Sequence, residues 1–337
     1  MHNLQNVLAE FPSTGTMRRN APPILYQGFS GADIWSIETD TGRYAVRCWP
    51  AGINEIRLTG LHCLLKFLRE RGLNFVAVPI LTARGMSLVK YSGRWIQVEP
   101  WLPGHADFRE CPTRARLASA MAALARWHLA AAQFQPAPEH RTWFASAANQ
   151  PSPAVIERRD RLRSLNAAQI RASGDAAVAR ALPQSRGVID RLVDGVLRHA
   201  DSVLSSLELA TTAAVPLQPV LRDVWHDHLL FTGDEITGLI DPFACRSESV
   251  AADLARLLGS LAGDEREAWD FALRAYQKFR PLSLAEKLLI PVLDRSGLLL
   301  SGVTWLEWLG PLVRFSLDDG RVVERVAAIL KRLDAMG

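Results

Sequence analysis

The first hundred residues and the remainder of the chain have different hydrophobic periods, and this segregation limits the possible folds more than any other feature. Residues 24–101 are short, turn-bounded apolar segments. ILYQGF, IWSIET and RYAVRCW read as strands, with the turn residues TDTG between the last two; AVPILT, MSLVKYSG and RWIQVEPWL supply further strands, with YSGR as a turn. One helix interrupts them. INEIRLTGLHCLLKFLRERG carries Leu61, Leu64, Leu65 and Leu68 on one stripe and Lys66, Arg69 and Arg71 away from it, with Gly72 at the C-terminal end.

WLPG at 101–104 ends this pattern, and most of the chain beyond it has a helical period. CPTRARLASAMAALARWHLAAAQF places Leu117, Met121, Leu124 and His128 on one face behind Thr113 as N-cap. Residues 135–154, rich in proline and alanine, read as a loop or insertion, and further helices are expected over 155–209. Short β-like pieces return over 217–243 before a helical tail that begins at VAADLARLLGSL. Strands first and helices second predict an α+β, bilobal protein. Its small antiparallel-sheet N-lobe with one helix would span residues 1–101, and its larger, mostly helical C-lobe residues 102–337.

Composition removes several classes. A chain of 337 residues with 48% apolar content buries a substantial core and is not disordered. The net charge of +4 is dispersed, and the densest basic run, ERRDRLRSL, is interrupted by Asp160, which favours a solvated helix face over a nucleic-acid stripe. Cys48, Cys63, Cys111 and Cys245 form no C-x-x-C pair, so neither a zinc ribbon nor a disulfide framework is indicated, and a reducing cytoplasm is the expected compartment. MHNLQNVLAEFPSTG lacks the basic and apolar regions of a signal peptide. LLIPVLDRSGLLLSGVTWLEWLGPLV is interrupted by Asp294, Arg295 and Glu307 and reads as buried helices, not a membrane span.

Chemistry concentrates in LRDVWHDHLLF, from Leu221, and the adjoining FTGDEITGLIDPF. Phosphotransfer without a covalent enzyme intermediate needs a carboxylate to orient a hydroxyl, oxygen ligands for metal, and a cation for the phosphates. Asp223 lies five residues before His228; two β-like pieces then lead to Asp241, which leaves the apolar strand GLI. The same stretch contains His226-x-His228, the kind of pair that binds zinc in a metal-dependent hydrolase, although no further His/Cys/Glu cluster occurs downstream at ligand spacing. Trp225, Trp305 and Trp308 suit either an acceptor pocket or core packing, and packing is the simpler reading. Asp264, Glu265 and Glu267 read as a solvated helix face.

These motifs resemble the aminoglycoside phosphotransferase and choline kinase family, whose fold is protein-kinase-like and whose catalytic loop, H-G-D-x-x-x-x-N, precedes a hairpin and an Ile-Asp-Phe-Gly-like metal site. The resemblance implies a small-molecule kinase that transfers the γ-phosphate of ATP or GTP to a hydroxyl. Asp223 would be the catalytic base, with Arg222 beside it, and His228 and Asp241 would hold Mg²⁺ or Mn²⁺. Asp253 matches an aspartate that braces the catalytic loop from the next helix, and LARWH at 124–128 resembles the end of the helix before that loop. GFSGAD, with Gly28, Ser30 and Gly31, resembles the loop over the phosphates, Arg47 stands at the basic position of the third strand with Glu55 as its helix partner, and VEPWLPG resembles the hinge that receives the base near Glu99 to Trp101. The expected partners are a nucleotide and a small hydroxyl acceptor whose identity is not legible, with no nucleic acid and no membrane.

The departures from that pattern are specific. Leu221 and Arg222 replace His-Gly, His228 replaces the metal-binding Asn, Pro242 replaces the Phe after the metal aspartate, and Arg47 stands where lysine is commoner. Because Mg²⁺ prefers oxygen ligands while imidazole suits transition metals, His228 either takes a softer metal, donates to a phosphate oxygen, or leaves a single ion on Asp241. Loss of catalysis, leaving a catalytically weak kinase-like nucleotide- or partner-binding protein, is the competing expectation.

Overall fold

A computed structural model describes residues 4–18, 20–27 and 31–336. In chain order the helices are α1 (Leu4–Ala9), α2 (Glu55–Glu70), α3 (Arg114–Ala131), α4 (Arg141–Phe144), α5 (Pro153–Ser164), α6 (Ala167–Val178), α7 (Pro183–Ala210), α8 (Val250–Leu261), α9 (Arg266–Gln277), α10 (Leu284–Leu309) and α11 (Gly320–Ala335). The strands are β1 (Ile24–Gln27), β2 (Asp33–Glu38), β3 (Arg43–Cys48), β4 (Val89–Tyr91), β5 (Arg94–Pro100), β6 (Ala147–Pro151), β7 (Ala214–Val220), β8 (Leu229–Thr232), β9 (Glu235–Leu239) and β10 (Arg246–Glu248). Contacts gather the chain into two compact units: Met1–Ser146 with Asp223–Ser247 and Lys278–Arg280, and Ala147–Arg222 with Glu248–Gln277 and Pro281–Gly337.

The first unit contains a five-stranded sheet in the order β1-β2-β3-β5-β4, antiparallel throughout. Side chains on a strand alternate between faces. Val46, Ile96 and Val98 therefore share one face, where they pack with Ile37 and with Val7, Leu8 and Phe11 of the N-terminal segment. Arg47 and Gln97, cross-strand partners in the register, belong to the other face together with Trp49 and Glu99. Helix α2 lies on this second side, with Leu58 packed among Trp49, Ala32 and Leu88. Its leucine stripe is buried as the period predicts, Asn54 caps its start by accepting from Arg57 N–H at 2.9 Å, and Gly72 comes just after its end at φ 83°.

Two departures from the expected strands have local causes. AVPILT forms no strand: Pro79 has no N–H to give a ladder, and Ile80 alone donates to Val98 C=O at 2.7 Å. Strand β6 falls inside the stretch expected to be a loop, paired irregularly with β7 in the second unit. The turn YSGR is present as expected, its central Ser92 and Gly93 both at positive φ, as a two-residue type I′ hairpin requires.

In the second unit the long helices α7 and α10 pack on one another and on α5, α6, α8 and α11. Helix α10 is a single 26-residue helix with Pro291 inside it, where several buried helices were expected; it starts at a capping box formed by Ser283 and Glu286. Among the described residues it alone is long and apolar enough to cross a membrane, and much of it is buried in its own unit. Asp294 on α10 pairs with Arg332 of α11 at 2.7 Å, and Arg332 also holds Asp264 at 2.9 Å, so Asp264 belongs to a structural network. Trp305 and Trp308 stack edge-on at 5.1 Å and both pack on Phe315, which is aromatic packing.

The β8–β9 hairpin belongs to the first unit and is held from both sides. Leu239 N–H donates to Phe75 C=O at 2.8 Å, while His105 and Phe231 exchange two backbone bonds of 2.9 Å each. Gly104, at φ 101°, makes this approach possible: a Cβ there would sit 2.5 Å from Thr237 Oγ1 and 2.7 Å from the Phe231 carbonyl. Gly104→Ala is expected to lower stability by about 1–3 kcal/mol in urea titration. Gly85→Ala, at φ 75° with open space around it, should cost less, and equal midpoints for the two variants would contradict the close approach as the cause.

Candidate active site

Arg47, from the middle of β3, is almost fully buried, so its charge needs paired carboxylates. It donates to Asp241 Oδ1 at 3.0 Å and to Glu99 Oε1 at 3.5 Å. Behind Glu99 the polar contacts continue into the sheet. Gln97 Nε2 donates to Glu99 Oε2 at 2.8 Å, and Gln97 Oε1 accepts from Trp49 Nε1 at 2.9 Å. An indole N–H only donates and a carboxylate only accepts, so these two partners determine which way the Gln97 amide points. His62 Nε2, 3.0 Å from the same Gln97 Oε1, must then carry the proton, and Nδ1 accepts from Ser87 Oγ at 2.7 Å. Burial lowers the His62 pKa to about 4 and nearby Arg47 acts in the same direction, against the Gln97 hydrogen bond; the imidazole is neutral.

The boundary between the two units falls between Arg222 and Asp223. On the second unit's side, the carboxylate of Asp253, fully buried on α8, accepts from Leu221 N–H at 2.8 Å and Arg222 N–H at 2.6 Å, the bracing expected from the sequence. It holds Arg222 in the left-handed region, φ 64°, a conformation that is easy for glycine and costs an arginine about 1 kcal/mol or more. The Arg222 guanidinium pairs with Glu157 of α5 at 2.6 Å.

On the first unit's side, the exposed Asp223 opens a loop closed by His228. His228 Nδ1 lies 2.8 Å from the Asp223 carbonyl, an acceptor, and Nε2 accepts the Trp225 indole N–H at 2.8 Å. Both ring nitrogens are engaged and the tautomer is determined. The ring of His228, expected as a metal ligand, thus meets protein groups at both nitrogens in this arrangement. His226 is buried with Nε2 3.1 Å from Asp227 Oδ1, and no group of three or more His, Cys, Asp or Glu that would hold a metal occurs among the described residues.

The hairpin sets Asp241 beside this loop. Leu229 pairs with Leu239, and Ile240 N–H donates to His228 C=O at 2.9 Å, extending the ladder to the residue before Asp241. Asp241 sits at φ 55°, ψ 53°, with Oδ1 on Arg47 and Oδ2 without a hydrogen-bond partner among the described residues. One hard carboxylate oxygen fits an ion of the Mg²⁺ type, which commonly takes one or two carboxylates and completes its shell with phosphates and water.

Of the other expected residues, Gly28 and Ser30 lie outside the described residues, and Gly31 is exposed at φ 77°. Glu55 is exposed in the first turn of α2 and is not the partner of Arg47, which takes Glu99 and Asp241 instead. Trp101 N–H is spent on Arg43 C=O at 3.0 Å, and the β3–β5 register turns the backbone groups of Glu99 toward β3 in the same way. Pro100 C=O and Leu102 N–H have no hydrogen-bond partner among the described residues. Sequence reading missed Arg57, whose guanidinium donates to the Phe243 and Cys245 carbonyls just after Asp241 and stacks 4.5 Å over the Phe243 ring. It lies one turn before Leu61 on the buried stripe, a place where a charge signals a partner.

A family model described as the phosphotransferase enzyme family matches residues 26–288. The chain belongs to this family. It is a phosphotransferase that acts on a hydroxyl group. The chain is 29% identical over 297 residues to a homoserine kinase of Methylocella silvestris, covering 85% of this chain and 79% of that one. To a homoserine kinase of Brucella anthropi it is 31% identical over 131 residues, 37% of this chain and 40% of that one. In fold it is similar to an amicoumacin kinase solved with AMP-PNP and Ca²⁺, with a TM-score of 0.64 over 99% of this chain and 94% of the other at 15% identity. The α+β, protein-kinase-like architecture expected from the sequence is the architecture found.

The site generates two stability predictions. Asp253→Asn replaces an acceptor facing Leu221 or Arg222 N–H with a donor, and should lower stability by about 1–3 kcal/mol in chemical denaturation. For His62 the folded pKa lies below the unfolded value of 6.5, so its contribution is complete above that pH and is lost as pH falls toward about 4. The loss is roughly 3 kcal/mol at most. His62→Gln should flatten the pH dependence of the denaturation midpoint across this window, and an unchanged slope would contradict the assignment.

Proposed function

We propose that the protein is a kinase that transfers the γ-phosphate of ATP or GTP to the side-chain hydroxyl of an amino acid of the homoserine type. The observation that carries the phosphotransfer reading is the hairpin geometry: it brings the Asp223 loop and Asp241 to one end of β8–β9, with the Arg47 guanidinium on Asp241. The acceptor class is supported by the homoserine kinases matched over most of the chain.

In this reading residues 1–101 form the nucleotide-binding lobe and residues 102–337 the catalytic and acceptor-binding lobe. Gly31 lies in the loop over the phosphates, and the Arg47 guanidinium neutralises them. Pro100 C=O and Leu102 N–H receive the base, taking the place of the Glu99 and Trp101 groups that β3 occupies. Asp241 would hold Mg²⁺, which would supply charge neutralisation at the phosphates when bound. Asp223 accepts a hydrogen bond from the acceptor hydroxyl, orients its oxygen toward the γ-phosphorus and receives its proton as the new O–P bond forms and the bond to the β,γ-bridging oxygen breaks, releasing ADP or GDP. Arg222, clamped to Glu157, keeps the loop in place, and rate acceleration comes from positioning and electrostatics. A cytoplasmic location belongs to the same reading.

Asp223→Ala is expected to reduce kcat by about 10²–10⁴-fold while the thermal shift with nucleotide and Mg²⁺ stays as in the parent. Asp241→Asn should lose most of both; nucleotide at a hundred times its Kd otherwise adds about 2.7 kcal/mol. Coupled detection of ADP or GDP with homoserine, an amino alcohol and an aminoglycoside tests the acceptor. Turnover with one of the others and none with homoserine sinks the acceptor class alone, whereas full turnover in Asp223→Ala sinks the mechanism.

A further inference from the structure

Arg47 has a buried cation's need for a fixed position, yet no carboxylate of α2 supplies it. The contact between α2 and Arg47 runs instead through two neutral side chains to a carboxylate of the sheet: His62 Nε2 donates to Gln97 Oε1, Gln97 Nε2 donates to Glu99, and Glu99 accepts from Arg47. Each link is determined in direction. Trp49 Nε1–H holds the Gln97 oxygen inward, so the amide nitrogen faces Glu99, and Ser87 satisfies the far side of the imidazole. Neither His62 nor Gln97 is exposed, and both are satisfied, as a buried polar network must be if it is to rigidify a site.

We infer that His62 and Gln97 are positioning residues for nucleotide phosphate, acting through Glu99 on the Arg47 guanidinium in place of an ion pair from α2. The inference rests on the reading of Arg47 as the phosphate ligand. Glu99 is anchored at Oε2 by Gln97 and offers Oε1 to Arg47, while Asp241 takes the other arm of the guanidinium at NH1. Cutting the relay at Gln97 leaves Glu99 free to rotate and the guanidinium with one oriented partner. Charge at the site is unchanged by that cut, so the consequence is misplacement of Arg47 without loss of the cation. A displaced guanidinium weakens the polyphosphate and leaves the nucleoside half of the ligand as it was.

The test is binding by calorimetry in the full chain, with ATP (or GTP, whichever gives the larger thermal shift) in excess Mg²⁺ and with the matching nucleoside. Gln97→Leu is expected to raise the Kd for the triphosphate about tenfold with the nucleoside Kd unchanged, and His62→Leu should do the same more weakly. His62→Gln, which can place an amide N–H near the position of Nε2, should recover most of the loss. A purely structural role would weaken both ligands alike. In an Arg47→Ala background Gln97→Leu should add nothing further. Equal weakening of both ligands, an unchanged triphosphate Kd in folded Gln97→Leu, or full additivity with Arg47→Ala overturns the relay. If Gln97→Leu does not fold, Ser87→Ala loosens His62 by loss of one hydroxyl and is judged by the same ratio. Arg47→Ala with an unchanged triphosphate Kd overturns the phosphate reading itself, a result separate from failure of the relay.

Discussion

The buried guanidinium of Arg47, held between Glu99 and Asp241, is the interaction on which the organisation of the first unit depends. A charge with so little exposure is tolerated only when it is paired and its hydrogen bonds are satisfied. The β3–β5 register supplies the first partner within the sheet, and the β8–β9 hairpin supplies the second from nearly two hundred residues downstream. Since the two carboxylates come from different parts of the chain, their pairing with one cation connects the sheet to the segment carrying Asp241. In the proposed function the same cation meets the polyphosphate, so one contact would serve both folding and ligand chemistry.

Two consecutive stretches of irregular backbone are held by opposite devices. Around Leu221 and Arg222 a buried carboxylate gathers backbone N–H groups, while around Asp223 an imidazole N–H reaches a backbone C=O. Both satisfy backbone groups that irregular structure would otherwise leave unpaired. His228 thus has a mechanical role that its residue type conceals. In isolation a histidine five residues after Asp223 suggests a metal ligand; with Trp225 donating to its Nε2, it is a staple across the loop.

Much of the architecture was legible because helix and strand periods are local. The stripe of Leu61, Leu64, Leu65 and Leu68, the Thr113 cap and the Ser92-Gly93 turn need only their neighbours to be read. AVPILT shows the limit, since its apolar run resembles a strand but Pro79 withholds the N–H that a ladder needs. Strand β6 shows the converse, a segment without strand character that pairs because β7 lies beside it. Likewise, Glu55 stands at the right distance in sequence from Arg47, but it faces solvent in the first turn of α2, while Arg57 and His62 face inward.

By itself the sequence determined the segregation of strands and helices, the α+β class and the candidates Asp223, Asp241 and Arg47, because each is written in local periodicity or in the spacing of a motif. Only the tertiary structure decided which donor meets which acceptor. Hydrogen-bond direction at His228 and Gln97 depends on whether the neighbouring atom can donate or only accept, and those neighbours, Trp225 and the Asp223 carbonyl in one case, Trp49, His62 and Glu99 in the other, are brought together by loop closure, strand register and helix packing.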